Sequence, residues 1–138
     1  MELHIVNGPN LNLLGKREPE KYGQISFDDF LKDLKAQFPD ISIHYYQSNV
    51  EGELINYLHQ VGFSCSGIIL NAGGYTHTSV ALRDAVAAIS APVIEVHITN
   101  IYAREDFRKQ NLLAGVCKGS VSGLGLAGYS LAVQYFIS

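Results

Sequence analysis

Short runs of apolar, β-branched and aromatic residues alternate along this chain with segments whose apolar residues recur at helical spacing. No other feature constrains the fold as much. Strands separated by helices are joined by crossovers, so they pair in parallel and carry helices on both faces of the sheet. Leu3 to Val6, Ile41 to Gln47, Gly67 to Leu70 and Pro92 to Ile98 read as strands. Ser26 is a good N-cap residue, and Phe27, Phe30, Leu31 and Leu34 follow it at helical spacing until Pro39 stops the run. Asn49 predicts the cap of a second helix, which carries Leu54, Ile55, Leu58 and Val61 and ends at Gly62. Thr78 or Ser79 caps an alanine-rich helix reaching Ser90. A polar helix is predicted from about Arg104 to Leu113, a weaker fifth strand over Val116 to Val121, and a last helix from about Leu126 to Phe136.

Five strands and five helices joined by right-handed crossovers fit an α/β three-layer sandwich. The expected sheet is five-stranded and parallel, in the flavodoxin-like order 2-1-3-4-5. The 138 residues suit a single domain spanning 1–138. Apolar residues make up 47% and charged residues 17%, a globular composition. The net charge is −3 and the basic residues are scattered, which argues against a nucleic-acid partner. No apolar run is long enough for a membrane span, and MELHIVNG carries no basic or apolar leader pattern. Cys65 and Cys117 lie beside apolar runs outside any CxxC pair and read as reduced thiols, so the expected compartment is the cytoplasm.

The exception to the alternation is NGPNLNLLGKREPEKYG, residues 7–23, which has neither helical period nor strand alternation. Structureless loops of this length are uncommon in compact domains, where they are mostly functional or disordered. In an open parallel sheet, ligands bind beyond the carboxyl ends of the strands at the switch point. Here the first strand runs into Asn7-Gly-Pro-Asn10, the third into Asn71-Ala-Gly-Gly-Tyr-Thr-His77 and the fourth into His97-Ile-Thr-Asn100. Taken singly, each has an ordinary reading: asparagines and glycines form turns, and a histidine ending an apolar run is usually a satisfied core residue. Their convergence on one rim favours a pocket.

The chain has no HExxH, no Cys/His cluster and no grouped carboxylates, so no metal is expected. Response regulators of this fold need paired acids after the first strand and an aspartate ending the third; those places hold Asn7 and Asn71. Gly123-Leu-Gly-Leu-Ala-Gly128 matches GxGxxG but stands only ten residues from the end of the sequence, too close for the acid a dinucleotide site needs; it reads as a strand-to-helix turn. What remains is a cofactor-free polar site. A tyrosine acts as a general base only when its pKa of about 10 is lowered, and a guanidinium favours the phenolate. Arg17 and Tyr22 lie five residues apart in a loop that could close as a lid over about 15–23. Histidine suits a proton donor. This equipment fits proton abstraction beside a carbonyl followed by loss of a hydroxyl. None of the lysines has a clear desolvated setting for Schiff-base chemistry.

NGPNLNLLGKREPEKYG, NAGGYTHTSVALRDA and EVHITNIYAREDFR, in this order, closely resemble the type II 3-dehydroquinate dehydratases of the shikimate pathway, and the likeness covers nearly the whole chain. The resemblance implies anti elimination of water from 3-dehydroquinate through an enolate, giving 3-dehydroshikimate without metal or other cofactor. It implies that Tyr22 abstracts the C2 proton, that Arg17 supports its phenolate and that Asn10 stabilises the enolate through an ordered water. His97 would protonate the leaving hydroxyl. The substrate carboxylate would rest on the backbone N–H groups of Ile98 and Thr99, with Asn71, His77 and Arg108 on the hydroxyls and ring substituents. Asp84 matches a position reached from a neighbouring subunit, and the implied assembly is a homododecamer built as a tetramer of trimers. The departures are small: Thr99 stands where many members have serine, and Gly74 where alanine is common. A different class of reading, a non-catalytic flavodoxin-like module for a nucleotide or flavin, rests only on the fold and the glycine motif. A purely structural oligomer would leave Arg17, Tyr22 and His97 unexplained.

Overall fold

Strand β1 (Glu2–Asn7) shows why this chain builds three layers. Successive side chains on a strand leave opposite faces of the sheet. Leu3 and Ile5 therefore enter one apolar layer, while Val6 enters the other. The computed structural model describes residues 1–16 and 25–138. Within them β1, β2 (Ser42–Gln47), β3 (Gly67–Asn71), β4 (Val93–His97) and β5 (Gly119–Ser122) form one parallel sheet in the order β2-β1-β3-β4-β5. Helices α1 (Phe27–Gln37) and α4 (Ala127–Ile137) supply Leu31, Leu34, Ala132 and Val133 to the layer holding Leu3 and Ile5. Helices α2 (Glu51–Val61) and α3 (Val80–Ala88) supply Leu54, Leu58, Leu82 and Val86 to the layer holding Val6. All five residues of β3 and of β4 are buried, as central parallel strands require. Leu54, Leu58 and Leu82 are fully buried, each contributing roughly 1.5–3 kcal/mol. None of the helices among the described residues is long and apolar enough to cross a membrane.

The caps at Ser26 and Ser79 form as the sequence predicts. The Ser26 hydroxyl accepts the Asp29 N–H at 3.2 Å and the Ser79 hydroxyl accepts the Leu82 N–H at 2.9 Å. Two expectations need correction. Asn49 does not cap α2, whose first turn follows an extended Val50 without a side-chain cap. The Asn49 side chain is drawn away to the opening loop, where its Oδ1 accepts the Asn10 N–H at 3.0 Å. The polar helix predicted over 104–113 is absent. Short 3₁₀ turns, Ile101–Ala103, Asp106–Lys109 and Ala114–Val116, occupy that connection, leaving four α-helices among the described residues. The reason is local. The side-chain oxygens of Asn100 and Asn111 take the backbone N–H groups of Tyr102, Leu113 and Ala114, offering the chain an alternative to helical bonding.

At the carboxyl edge of the sheet, Asn7 of β1 and Asn71 of β3 are register partners. Both are buried, and the Tyr129 hydroxyl from α4 lies between them. It donates to Asn7 Oδ1 at 2.8 Å and accepts from Asn71 Nδ2 at 2.9 Å. Phe27 and Phe30 pack around the Tyr129 ring. Removing the hydroxyl leaves Asn7 Oδ1 and Asn71 Nδ2 without the partner it supplies. Tyr129→Phe is expected to lower unfolding stability by about 1–3 kcal/mol, read from urea denaturation; an unchanged transition would show that the bridge carries no net stability.

Candidate active site

Asn7 and Asn71 end the two central strands, and the chain must turn sharply above each. The Gly8 N–H donates to the Asn71 carbonyl at 2.7 Å, bringing the opening loop against the one that follows β3. A Cβ on Gly8 would stand 2.5 Å from the Ala72 carbonyl oxygen, so only glycine permits this approach. Asn10 then adopts a left-handed φ of 70°. The third wall comes from the end of β4. The N–H groups of Gly123 and Gly125 donate to the carbonyls of His97 and Ile98 at 3.1 and 3.0 Å. The GxGxxG segment is thus a turn that clamps the end of β4; Gly123 has φ +85°, which favours glycine.

These walls enclose a cavity of about 120 Å³ beyond the carboxyl ends of β1, β3 and β4. It brings together Asn10, Asn71, His77, His97, Ile98, Thr99 and Arg108, all singled out from the sequence. Asp84 does not line it; its carboxylate is exposed on α3, 3.2 Å from the Arg83 guanidinium. Arg17, Tyr22 and most of the expected lid lie outside the described residues.

Electrostatics divides the two histidines. Glu95, only 1% exposed, lies two residues before His97 on β4. Its Oε2 is 2.9 Å from His97 Nε2, and its Oε1 accepts from the Ser120 hydroxyl at 2.6 Å and Asn111 Nδ2 at 2.9 Å. Burial alone would raise the carboxyl pKa, but the hydrogen bonds from His97, Ser120 and Asn111 outweigh it and hold the group below its ordinary value. An ionised carboxylate only accepts, so Nε2–H of His97 donates and Nδ1 is the nitrogen left to serve a substrate. His77 Nδ1–H donates to the Gln110 carbonyl at 2.7 Å. Burial lowers its pKa, and the charge on Arg108 opposes protonation further. His77 is therefore neutral near pH 7 and offers Nε2 as an acceptor.

The arginines are held in place. Arg108 Nε donates to Glu105 Oε1 at 2.9 Å and its guanidinium lies over Phe107, 5.1 Å from the ring centre. The hydrogen bond from Arg108 takes the Glu105 carboxyl down to about 2. Arg104 also lines the cavity and donates from Nη1 to Thr99 Oγ1 at 3.4 Å. Two guanidiniums in one small cavity favour an anionic ligand. Asn71 is more constrained than the sequence suggests, since its Oδ1 accepts the Gly73 N–H at 3.1 Å while its Nδ2 meets Tyr129. Sequence reasoning missed Glu95 and Arg104. Glu95 left a signal: a lone acid in an apolar strand, at the i−2 position that shares a face with His97. Arg104 left none that separates it from the solvated polar run around it.

The chain matches the family described as Dehydroquinase class II over residues 1–137. A 3-dehydroquinate dehydratase of Exiguobacterium sp. is 51% identical over 138 residues, covering 99% of this chain and 94% of the relative. The 3-dehydroquinate dehydratase of Bacillus subtilis is 50% identical over 137 residues, covering 97% and 92%. The crystal structure of a type II dehydroquinase from Butyrivibrio crossotus superposes with a TM-score of 0.95 at 39% identity, covering 100% of this chain and 98% of that one.

The buried acid and the neutral histidine make acidification costly. Glu95 has a depressed folded pKa, so its contribution is present above the unfolded value of 4.5 and is lost as pH falls through the folded value. His77, with its pKa lowered from 6.5, subtracts stability as the pH drops below that value, because the unfolded chain takes the proton more readily. Unfolding free energy should fall on acidification from pH 7, and Glu95→Gln should flatten the part of the curve below 4.5. Equal slopes there in both proteins would remove Glu95 from the account.

Proposed function

The chain belongs to the class II dehydroquinase family and is a 3-dehydroquinate dehydratase, a lyase of the shikimate route to aromatic compounds, and from this premise we propose how its residues divide the reaction. The Tyr22 phenolate takes the C2 proton of 3-dehydroquinate, leaving an enolate. Arg17 holds the phenol in its ionised form, and Asn10, at the root of the loop, stabilises the enolate oxygen through an ordered water. His97 gives its proton to the C1 hydroxyl. The C–O bond breaks with its electrons on oxygen, water departs anti to the proton removed, and the enolate collapses to the C1–C2 double bond of 3-dehydroshikimate. Tyr22 ends protonated and His97 unprotonated, and proton exchange with solvent restores both. Every step uses the chain's own side chains, and no cofactor or metal is required.

The observation that carries this reading is His97 on the cavity wall, hydrogen-bonded to the buried Glu95. A carboxylate holding Nε2–H fixes the orientation of the ring, so Glu95 acts as a positioning residue for the acid. The substrate carboxylate rests on the backbone N–H groups of Ile98 and Thr99, where the guanidiniums of Arg104 and Arg108 add favourable charge. Neutral His77 accepts from a ring hydroxyl, while Asn71 and Arg108 complete its binding. Residues 1–138 work as a single catalytic domain whose lid, over about 15–23, closes on the substrate. Asp84, exposed on α3, suits a contact to the site of a neighbouring subunit in a homododecamer of four trimers. The compartment is the cytoplasm.

Purified protein added to 3-dehydroquinate should generate the ultraviolet absorption of the conjugated enone, undiminished by chelator or by borohydride pretreatment with substrate. Tyr22→Phe should abolish this turnover while substrate still binds; retained activity would remove Tyr22 as the base. Arg17→Ala should lower turnover and move the onset of activity to higher pH, because the phenolate loses its neighbouring charge. An unshifted pH profile would count against that role.

A further inference from the structure

At the opposite edge of the sheet from the cavity, the amino-terminal ends of β1 and β2 bring together three groups that the reaction does not use. Glu2 and His4 are two residues apart on β1, so their side chains leave the same face. The parallel register pairs His4 with His44 of β2, and the two imidazoles stack with centres 4.7 Å apart and planes inclined by 17°. His4 Nε2 lies 2.7 Å from Glu2 Oε2, and His44 Nε2 lies 4.0 Å from Glu2 Oε1. One donor atom from each residue falls within 4.8 Å of the others. Donors around a tetrahedral ion with bonds of about 2.1 Å stand roughly 3.4 Å apart, between the two measured separations.

We propose that Glu2, His4 and His44 form a binding site for a divalent transition-metal ion of the zinc type, with water in the fourth position. Two imidazoles and one carboxylate suit zinc, cobalt, nickel or copper rather than magnesium or calcium, which prefer oxygen donors. His4 supplies the fixed ligand. It is buried, and its Nδ1 is 2.6 Å from the Tyr57 hydroxyl of α2, the outer-shell hydrogen bond that orients a metal-bound imidazole. When the ion takes Nε2, the ring carries its proton on Nδ1 and the Tyr57 oxygen accepts it; the hydroxyl can donate or accept, so it serves both states. Glu2 and His44 supply the adjustable ligands. Their side chains are 48% and 49% exposed, which opens a path for the ion and lets both swing onto it. His44 only has to leave a 3.1 Å contact with the Ser42 hydroxyl.

The test is titration calorimetry of tag-free, chelator-treated, assembled protein with zinc sulfate, repeated with cobalt(II) to follow its visible absorption. The wild type should take up one zinc per chain. His44→Ala and Glu2→Gln change exposed side chains and should keep the fold, checked by circular dichroism, while binding zinc at least tenfold more weakly. His59→Ala should bind as the wild type does. Thermal unfolding should shift upward with zinc in the wild type and not in His44→Ala. No uptake by the wild type at millimolar zinc would overturn the proposal, as would equal uptake by His44→Ala. The dehydratase assay is independent of this outcome, because none of the three residues lines the cavity.

Discussion

One phenolic hydroxyl sets the geometry on which the rest depends. Two central parallel strands end on asparagines that are buried side by side, and a buried amide without partners is costly. The Tyr129 hydroxyl satisfies both by donating to one and accepting from the other. Because Tyr129 comes from α4, this also locks the last helix to the first and third strands. Burial raises its pKa, so the group remains a hydroxyl with both capacities intact. Above it the turns diverge, one into the opening loop and one into the segment leading to His77. The cavity is the space between them.

Within that space the same residue type meets two settings. His97 donates Nε2–H to a buried carboxylate; His77 donates Nδ1–H to a carbonyl and lies near a guanidinium, in surroundings that disfavour charge. The different partners leave Nδ1 available on one imidazole and Nε2 on the other. The cysteines take no part. Burial pushes the Cys117 thiol up to about 12, so it carries almost no thiolate at neutral pH.

The elements legible in the sequence were those governed by local rules or strong periodicity. Ser26 and Ser79 could be read as caps because a serine hydroxyl placed before an amphipathic run has one obvious N–H to satisfy. The strand order followed from crossovers, and the rim of Asn10, Asn71, His77 and His97 from the switch point. The failures were tertiary. Asn49 has the right chemistry for a cap, but the Asn10 N–H, thirty-nine residues away in sequence, takes its oxygen. The stretch over 104–113 has helix-forming residues, yet the side chain of Asn111 takes the N–H groups of Leu113 and Ala114, and the Leu112 N–H goes to the Thr76 carbonyl. Glu95 shows in the sequence only as a lone acid in an apolar strand; its partners on β5 and on the connection before it give that position its meaning.

Asn111 gives that connection an unusual rigidity. Its Oδ1 gathers the N–H groups of Leu113 and Ala114, while its Nδ2 reaches the carboxylate behind His97. Irregular surface segments are where engineers customarily place new termini, epitopes or inserted domains. In this molecule such a graft between β4 and β5 would pull on the carboxylate that holds His97. The hidden Glu95 makes the least regular stretch of the described chain one of the least permissive to redesign.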